Sequence, residues 1–178
     1  MGRFLVDAAK KRRQAVLSVS CPDQAESARD LHQKLKVLLP KCDVLVMAAA
    51  VCDARPKTVS KTKIGKDSLQ TIRLVKNPDI LADLSKRKKK GQLFIGFGIE
   101  SEALLKRGFL KLKKKGLDLI VLQKVSDKDR PFGDKKIDAF ILNRQHKVIK
   151  LPAVDKRKLA GVLVGAALDL FARKGAFC

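Results

Sequence analysis

The 178-residue sequence contains no tryptophan and no tyrosine, and aromatic residues make up only 4% of it. A core must therefore rest on Leu, Ile, Val and Ala, which suits strands buried between helices. A platform of aromatic rings for stacking bases is correspondingly hard to build. Acidic residues are scarce, with 18 Asp plus Glu against 40 Lys plus Arg. Histidine occurs only as His32 and His146, and the cysteines at 21, 42, 52 and 178 show no CxxC spacing. A zinc site is therefore excluded as a pattern, and reduced thiols are expected. No window long enough to span a membrane is free of charge, and the apolar part of MGRFLVDAAKKRR is too short for a signal peptide. A myristoylation signal is not met, because Val6 stands where Ser or Thr is wanted. These absences lead to the expectation of a cytoplasmic chain with no membrane partner.

What is present is enough apolar residue, 46%, for one domain with a real core, so disorder of the whole chain is excluded. The net charge of +22 predicts a field that attracts anions: nucleotides, phosphorylated metabolites or nucleic acid. Charge alone does not choose among them.

Hydrophobic spacing predicts a helix over 3–13, a short strand over 15–20, a helix over 24–38 and a strong strand over 41–50. The polar, lysine-rich stretch 53–68 reads as a loop or flap, and 69–75 as a strand. Asn77-Pro78-Asp79 predicts a helix start, with Asn77 as cap, running to about residue 89. A strand over 92–97 and a helix capped by Ser101 and stopped by Gly116 follow. A strand over 118–122, a hairpin of 138–142 with 147–150, and a helix over 155–173 complete the chain. Alternation of this kind predicts an α/β fold with a mainly parallel sheet and a late antiparallel hairpin. Ligands of such sheets bind beyond the carboxyl ends of the strands.

The segments after strands are therefore the candidate sites. Ala48 to Pro56 brings small residues, including Ala49 and Ala50, with one carboxylate, Asp53, and one guanidinium, Arg55. The plain alternative is a strand end with a solvated loop. Lys63 and Lys66 lie in the following loop, where lysines can close over phosphates or simply be solvated. Gly96, Phe97, Gly98 and Glu100 end a strand, and the glycines expose backbone amides beside a helix start, although a simple strand-to-helix turn explains them as well. This is not the dinucleotide GxGxxG fingerprint, so nicotinamide binding has little support. Lys111 and Lys115 end a helix, where the dipole alone favours cations. Phe132, in Pro131-Phe132-Gly133, is placed either against a base or in the core.

Taken in order, AAAVCDARP (48–56), Lys63-Ile64-Gly65-Lys66, VKNPDIL (75–81), GFGIE (96–100), KLKKKGLDLIV (111–121) and PFG (131–133) resemble the phosphopantothenate-cysteine ligase family, the C-terminal half of the bacterial DNA/pantothenate metabolism flavoprotein. The resemblance covers nearly all of residues 1–142. It implies a Rossmann-like three-layer sandwich in a single domain over 1–178. It also implies a reaction of coenzyme A biosynthesis in which 4′-phosphopantothenate is activated by CTP, or by ATP, with Mg²⁺, and then joined to cysteine. By position, Lys111 would hold the nucleotide phosphates, Phe132 would pack near the base, and Gly98 with Glu100 would shape the nucleotide pocket. Asp53 and Arg55 would line the site, and Lys63 and Lys66 would belong to a closing flap.

The resemblance also carries departures. Met1-Gly2 matches the end of the family's opening glycine-rich segment, so an absent first strand and a central gap in the sheet are expected, with a separate chain as one possible source of the piece. Gln123 and Ile137 stand where the family has Asn. The flavin-binding half has no counterpart, so no flavin is expected, and a homodimer is implied by the relatives. The rival reading is a catalytically inactive basic remnant that binds nucleotides or nucleic acid.

Overall fold

The computed structural model describes residues 1–20, 23–66, 71–125 and 135–175, with side chains through 173. Its centre is a five-stranded mixed sheet in the order β1 (Val44–Met47), β4 (Leu93–Glu100), β5 (Leu119–Lys124), β6 (Ile137–Asn143), β7 (Val148–Val154). The pairs β1-β4 and β4-β5 are parallel, and β5-β6 and β6-β7 antiparallel. Among the described residues the sheet is continuous and shows no central gap, β1 pairing directly with β4 through Val44↔Leu93 to Met47↔Gly96. A small antiparallel ribbon of β2 (Ala54–Pro56) and β3 (Leu74–Lys76) stands apart from this sheet.

Alternation along each strand sorts side chains into two cores, which makes the three layers. Phe94, Ile120, Leu122 and Leu142 face one side, packing with Leu31 and Leu35 of α2 (Ala28–Leu38), Leu81 and Leu84 of α3 (Ile80–Ser85) and Leu112 of α4 (Leu104–Lys114). Ile95, Leu119, Val121 and Ile141 face the other, against Leu5 and Ala8 of α1 (Gly2–Lys11) and Leu159 and Leu163 of α5 (Lys156–Gly175). Helix α4 approaches the sheet closely because residue 108 is glycine, where a Cβ would lie 2.9 Å from Leu142 Cδ2.

Several expectations are corrected. Residues 15–20 form no strand: Leu17 is 60% exposed, and Ser20 is instead held in a local turn by the Gln24 side chain and backbone. An extended segment without a neighbouring ladder has no reason to count as sheet. Helix α2 begins at Ala28, because Ser27 and Asp30 form a reciprocal capping box. Helix α3 is capped by Asp79, not Asn77, and stops at Ser85, where five consecutive cations follow. Ser101 does not cap α4. Pairing of Glu100 with Lys124 keeps β4 extended, and the helix starts only after Ala103, whose backbone is left-handed at φ 46°. Within 53–66 the flap region contributes strand β2, and 67–68 lie outside the described residues.

Candidate active site

At the carboxyl end of β4, residues alternate between faces, and Gly96, Gly98 and Glu100 share the side covered by α4. Glu100 is only 5% exposed. Its carboxylate meets Lys111 Nζ at 2.5 Å and Arg107 Nη1 at 3.5 Å, both from α4. The Lys111 contact is an ion pair that lacks hydrogen-bond geometry at Oε1. Lysine side chains on a helix lean toward its N-terminus, so α4, which runs away from this edge, still delivers Lys111 to it.

Gly98 completes the group. A Cβ there would be 3.7 Å from Lys111 Nζ and 3.1 Å from Leu122 Cδ2, so the ammonium sits over bare backbone. Two cations thus share one nearly buried carboxylate and leave an excess positive charge. Their heads stay accessible, with Lys111 41% and Arg107 53% exposed. The start of α4 lies beside them and has no side-chain cap. Amides of a helix's first turn are a natural place for an anion. The arrangement can therefore hold phosphate oxygens between a helix start, a glycine backbone and two side-chain cations.

The second half of the edge is built by Asn77. Its Nδ2 donates to the Cys52 carbonyl at 2.9 Å, and its Oδ1 accepts from Arg55 Nη1 at 3.0 Å. Arg55 Nη1 also donates to the Lys76 carbonyl at 2.8 Å, and the Asn77 N–H donates to the Asp53 carbonyl at 2.8 Å. Asp53 and Arg55 are thus fixed to the 74–77 segment, while the Asp53 side chain stays exposed. Asp79, two residues on, takes Lys115 at 3.0 Å, at the far end of α4 where the chain turns into β5 and so away from this edge. Lys111 and Lys115, one turn apart, therefore brace two different carboxylates.

The remaining expected residues lie as follows. Ala49 and Ala50 are exposed just after β1, and Lys63 and Lys66 are exposed in the following loop. Gly96 serves packing: a Cβ would be 2.8 Å from Leu117 Cδ1 and 3.3 Å from Leu81 Cδ1. Phe97 points to the opposite face, against the core beneath α1 and α5. Phe132 lies outside the described residues. Arg107 and Asn77 were not anticipated as site residues. Arg107 was detectable as the residue one turn before Lys111, whereas Asn77 had been spent on a helix cap. Among the described residues no three His, Cys, Asp or Glu side chains group to hold a metal, and no helix is long and apolar enough to cross a membrane.

Comparison with known proteins follows this geometry. A protein from an unknown prokaryotic organism, named cysteine/cysteine sulfinic acid decarboxylase, is 33% identical over 145 residues, covering 81% of this chain and 40% of its own length. The coenzyme A biosynthesis bifunctional protein CoaBC of Borreliella burgdorferi is 34% identical over 138 residues, covering 76% of this chain and 34% of its own. This chain thus spans well under half of the relatives it matches. A crystal structure of a C-terminal domain of CoaBC superposes with a TM-score of 0.68 at 26% identity, covering 84% of this chain and 65% of that one. The two relatives' names differ in activity, but the shared segment in both is this domain's length and not the whole protein. Residues 1–170 match the DNA/pantothenate metabolism flavoprotein C-terminal domain, and the chain belongs to that family.

Proposed function

We propose that this chain joins 4′-phosphopantothenate to cysteine through an acyl-nucleotidylate, a step of coenzyme A biosynthesis, with CTP preferred to ATP. The family supports the reaction class. The observation that carries the reading for this chain is the pair of accessible cations, Lys111 and Arg107, sharing the buried Glu100 over Gly98 at the strand edge. A triphosphate placed there replaces part of the carboxylate's hold on Lys111 with charge-assisted hydrogen bonds of its own.

In the first step a carboxylate oxygen of phosphopantothenate attacks the α-phosphorus of the nucleotide. The new O–P bond forms as the bond to the β-phosphate oxygen breaks, and pyrophosphate leaves. Lys111, Arg107 and the first-turn amides of α4 take up negative charge developing on the phosphate oxygens. In the second step the cysteine amine attacks the acyl carbon. The C–N bond forms, the nucleoside monophosphate leaves, and the amine gives up a proton. Arg55, held at its angle by Asn77, is suited to the phosphopantothenate side, with Asp53, Ala49 and Ala50 beside it. The lysine-bearing stretch at 53–68, with Lys63 and Lys66, acts as a flap that keeps water from the mixed anhydride. Phe132 is assigned to the base by the family resemblance alone. Magnesium enters as part of the nucleotide substrate, since it is commonly carried by substrate phosphates. A cytoplasmic homodimer belongs to the same reading.

The test is pyrophosphate release by the purified chain with phosphopantothenate, Mg²⁺ and CTP or ATP, with and without cysteine. Release faster with CTP, and abolished in Lys111→Met, is the expected result. A folded chain that binds neither nucleotide would sink the proposal.

A further inference from the structure

The edge of the sheet opposite the candidate active site carries a separate feature. The register places the residues before β1, β4 and β5 and those after β6 at one edge, through Val44↔Leu93, Ile95↔Leu119 and Leu119↔Asn143. Four connections meet there: 36–43, 85–92, 113–118 and 143–147. Together they hold twelve Lys and Arg against two Asp, a net +10 of the chain's +22.

These connections form one continuous surface. Lys89 Nζ donates to the Pro40 carbonyl at 3.3 Å, and Gln92 Nε2 donates to the Leu39 and Cys42 carbonyls at 2.9 and 2.6 Å. Lys88 Nζ and Arg144 Nη2 both donate to the Gly116 carbonyl, at 3.5 and 2.7 Å. Of the two acids, Asp118 is 2% exposed and already engaged by Lys88 and Arg144. Its charge is therefore spent inside the edge. Lys86, Arg87, Lys90, Lys113 and Lys114 are exposed and form no ion pair with any described residue. Concentrating like charge in this way costs self-repulsion that a polyanion would remove.

We propose that this edge binds double-stranded nucleic acid through its phosphate backbone, at a site distinct from the nucleotide site. Three observations select that partner. The four connections lie side by side across three strand spacings, about 14 Å, which matches an extended line of phosphates better than a single small anion. Val37 is the only large hydrophobic exposed within them, so the apolar centre of a protein interface and the apolar wedge of a membrane-surface helix are both lacking among the described residues. The four connections carry one ring, His146, which packs against Phe109 with centroids 4.5 Å apart, so no row of rings is offered to unpaired bases, which favours a duplex. Such binding is sequence-independent and falls steeply with salt.

The test measures fluorescence anisotropy of a labelled 20-base-pair DNA duplex between 50 and 200 mM salt, with the full chain. The edge variant Lys86→Gln/Arg87→Gln/Lys113→Gln/Lys114→Gln is compared with Lys10→Gln/Lys11→Gln/Lys150→Gln/Lys158→Gln, which removes the same charge elsewhere. The expected result is a loss of about tenfold or more at low salt for the edge variant, and a salt slope smaller by about 4, while the control stays near wild type. Should the edge variant unfold by circular dichroism, Lys89→Gln/Lys90→Gln supplies a milder version with a slope smaller by about 2. Equal losses in both variants, no binding by the wild type at 50 mM salt, or equal affinity for phosphatidylserine vesicles or polyglutamate would overturn the proposal. Pyrophosphate release by the edge variant is a separate readout and is expected to be unchanged, so failure of one proposal leaves the other standing.

Discussion

Lys111 Nζ lies 2.5 Å from Glu100 Oε1, while Glu100 itself is almost wholly buried. One partner of this pair faces solvent and any arriving ligand, and the other has nowhere to find water. In the proposed reaction the two would have unequal roles, with Glu100 setting the position and Lys111 meeting the nucleotide.

Lys111→Met is expected to leave the buried carboxylate with Arg107 alone and to cost about 1–3 kcal/mol of stability by urea unfolding. The double variant Lys111→Met/Glu100→Gln should recover most of that stability and none of the nucleotide affinity. Recovery of both would show that Lys111 serves the fold only.

Asn77→Ala removes the hydrogen bonds to the Cys52 carbonyl and from Arg55. Hydrogen exchange of the β2-β3 ribbon should quicken while that of β4 and β5 is unchanged. In the ligase assay KM for phosphopantothenate is expected to rise about tenfold, a loss of about 1.4 kcal/mol of binding, with nucleotide affinity held.

Gly108→Val would push a side chain into Leu142 and Leu122 beneath α4. Overpacking of this kind costs about 1–3 kcal/mol. Because α4 also carries Arg107 and Lys111, nucleotide binding should weaken along with the melting temperature. A lowered melting temperature with intact nucleotide binding would mean that the helix repacks without moving its cations.

Asp83 joins α3 to α2 through His32 Nε2 at 2.8 Å and Lys36 Nζ at 3.6 Å. The His32 hydrogen bond, followed by the positive charges of Lys36, His32 and Lys86, lowers its carboxyl below the usual value. A depressed carboxyl binds its proton more weakly in the folded than in the unfolded chain, so the stability it contributes is present above the unfolded value, about 3.9. That stability is lost as pH falls through the folded value. Asp83→Asn should therefore flatten the stability profile below about pH 4. An unchanged acid limb in denaturant unfolding would refute this.

The periodicity of the sequence was enough for the helix-strand alternation, the late hairpin and the final helix, because these depend on local spacing and on turn residues such as Gly116. The family motifs were legible for the same reason, as short contiguous strings. Residues 15–20 were misread because a strand is defined by a neighbour, and an apolar run says nothing about whether one is there. Ser101 and Asn77 were misread as caps because local preference yields to pairing: the β4-β5 ladder holds Glu100 extended, and Asn77 has better partners in Cys52 and Arg55.

What the sequence determined by itself is the class of fold, the family and the excess of positive charge. Where that charge gathers was decided only by the tertiary structure. Lys111 and Arg107 are drawn to one carboxylate at one edge, and four separate basic connections are brought side by side at the other. The register of the sheet, and no local propensity, sets which segments become neighbours.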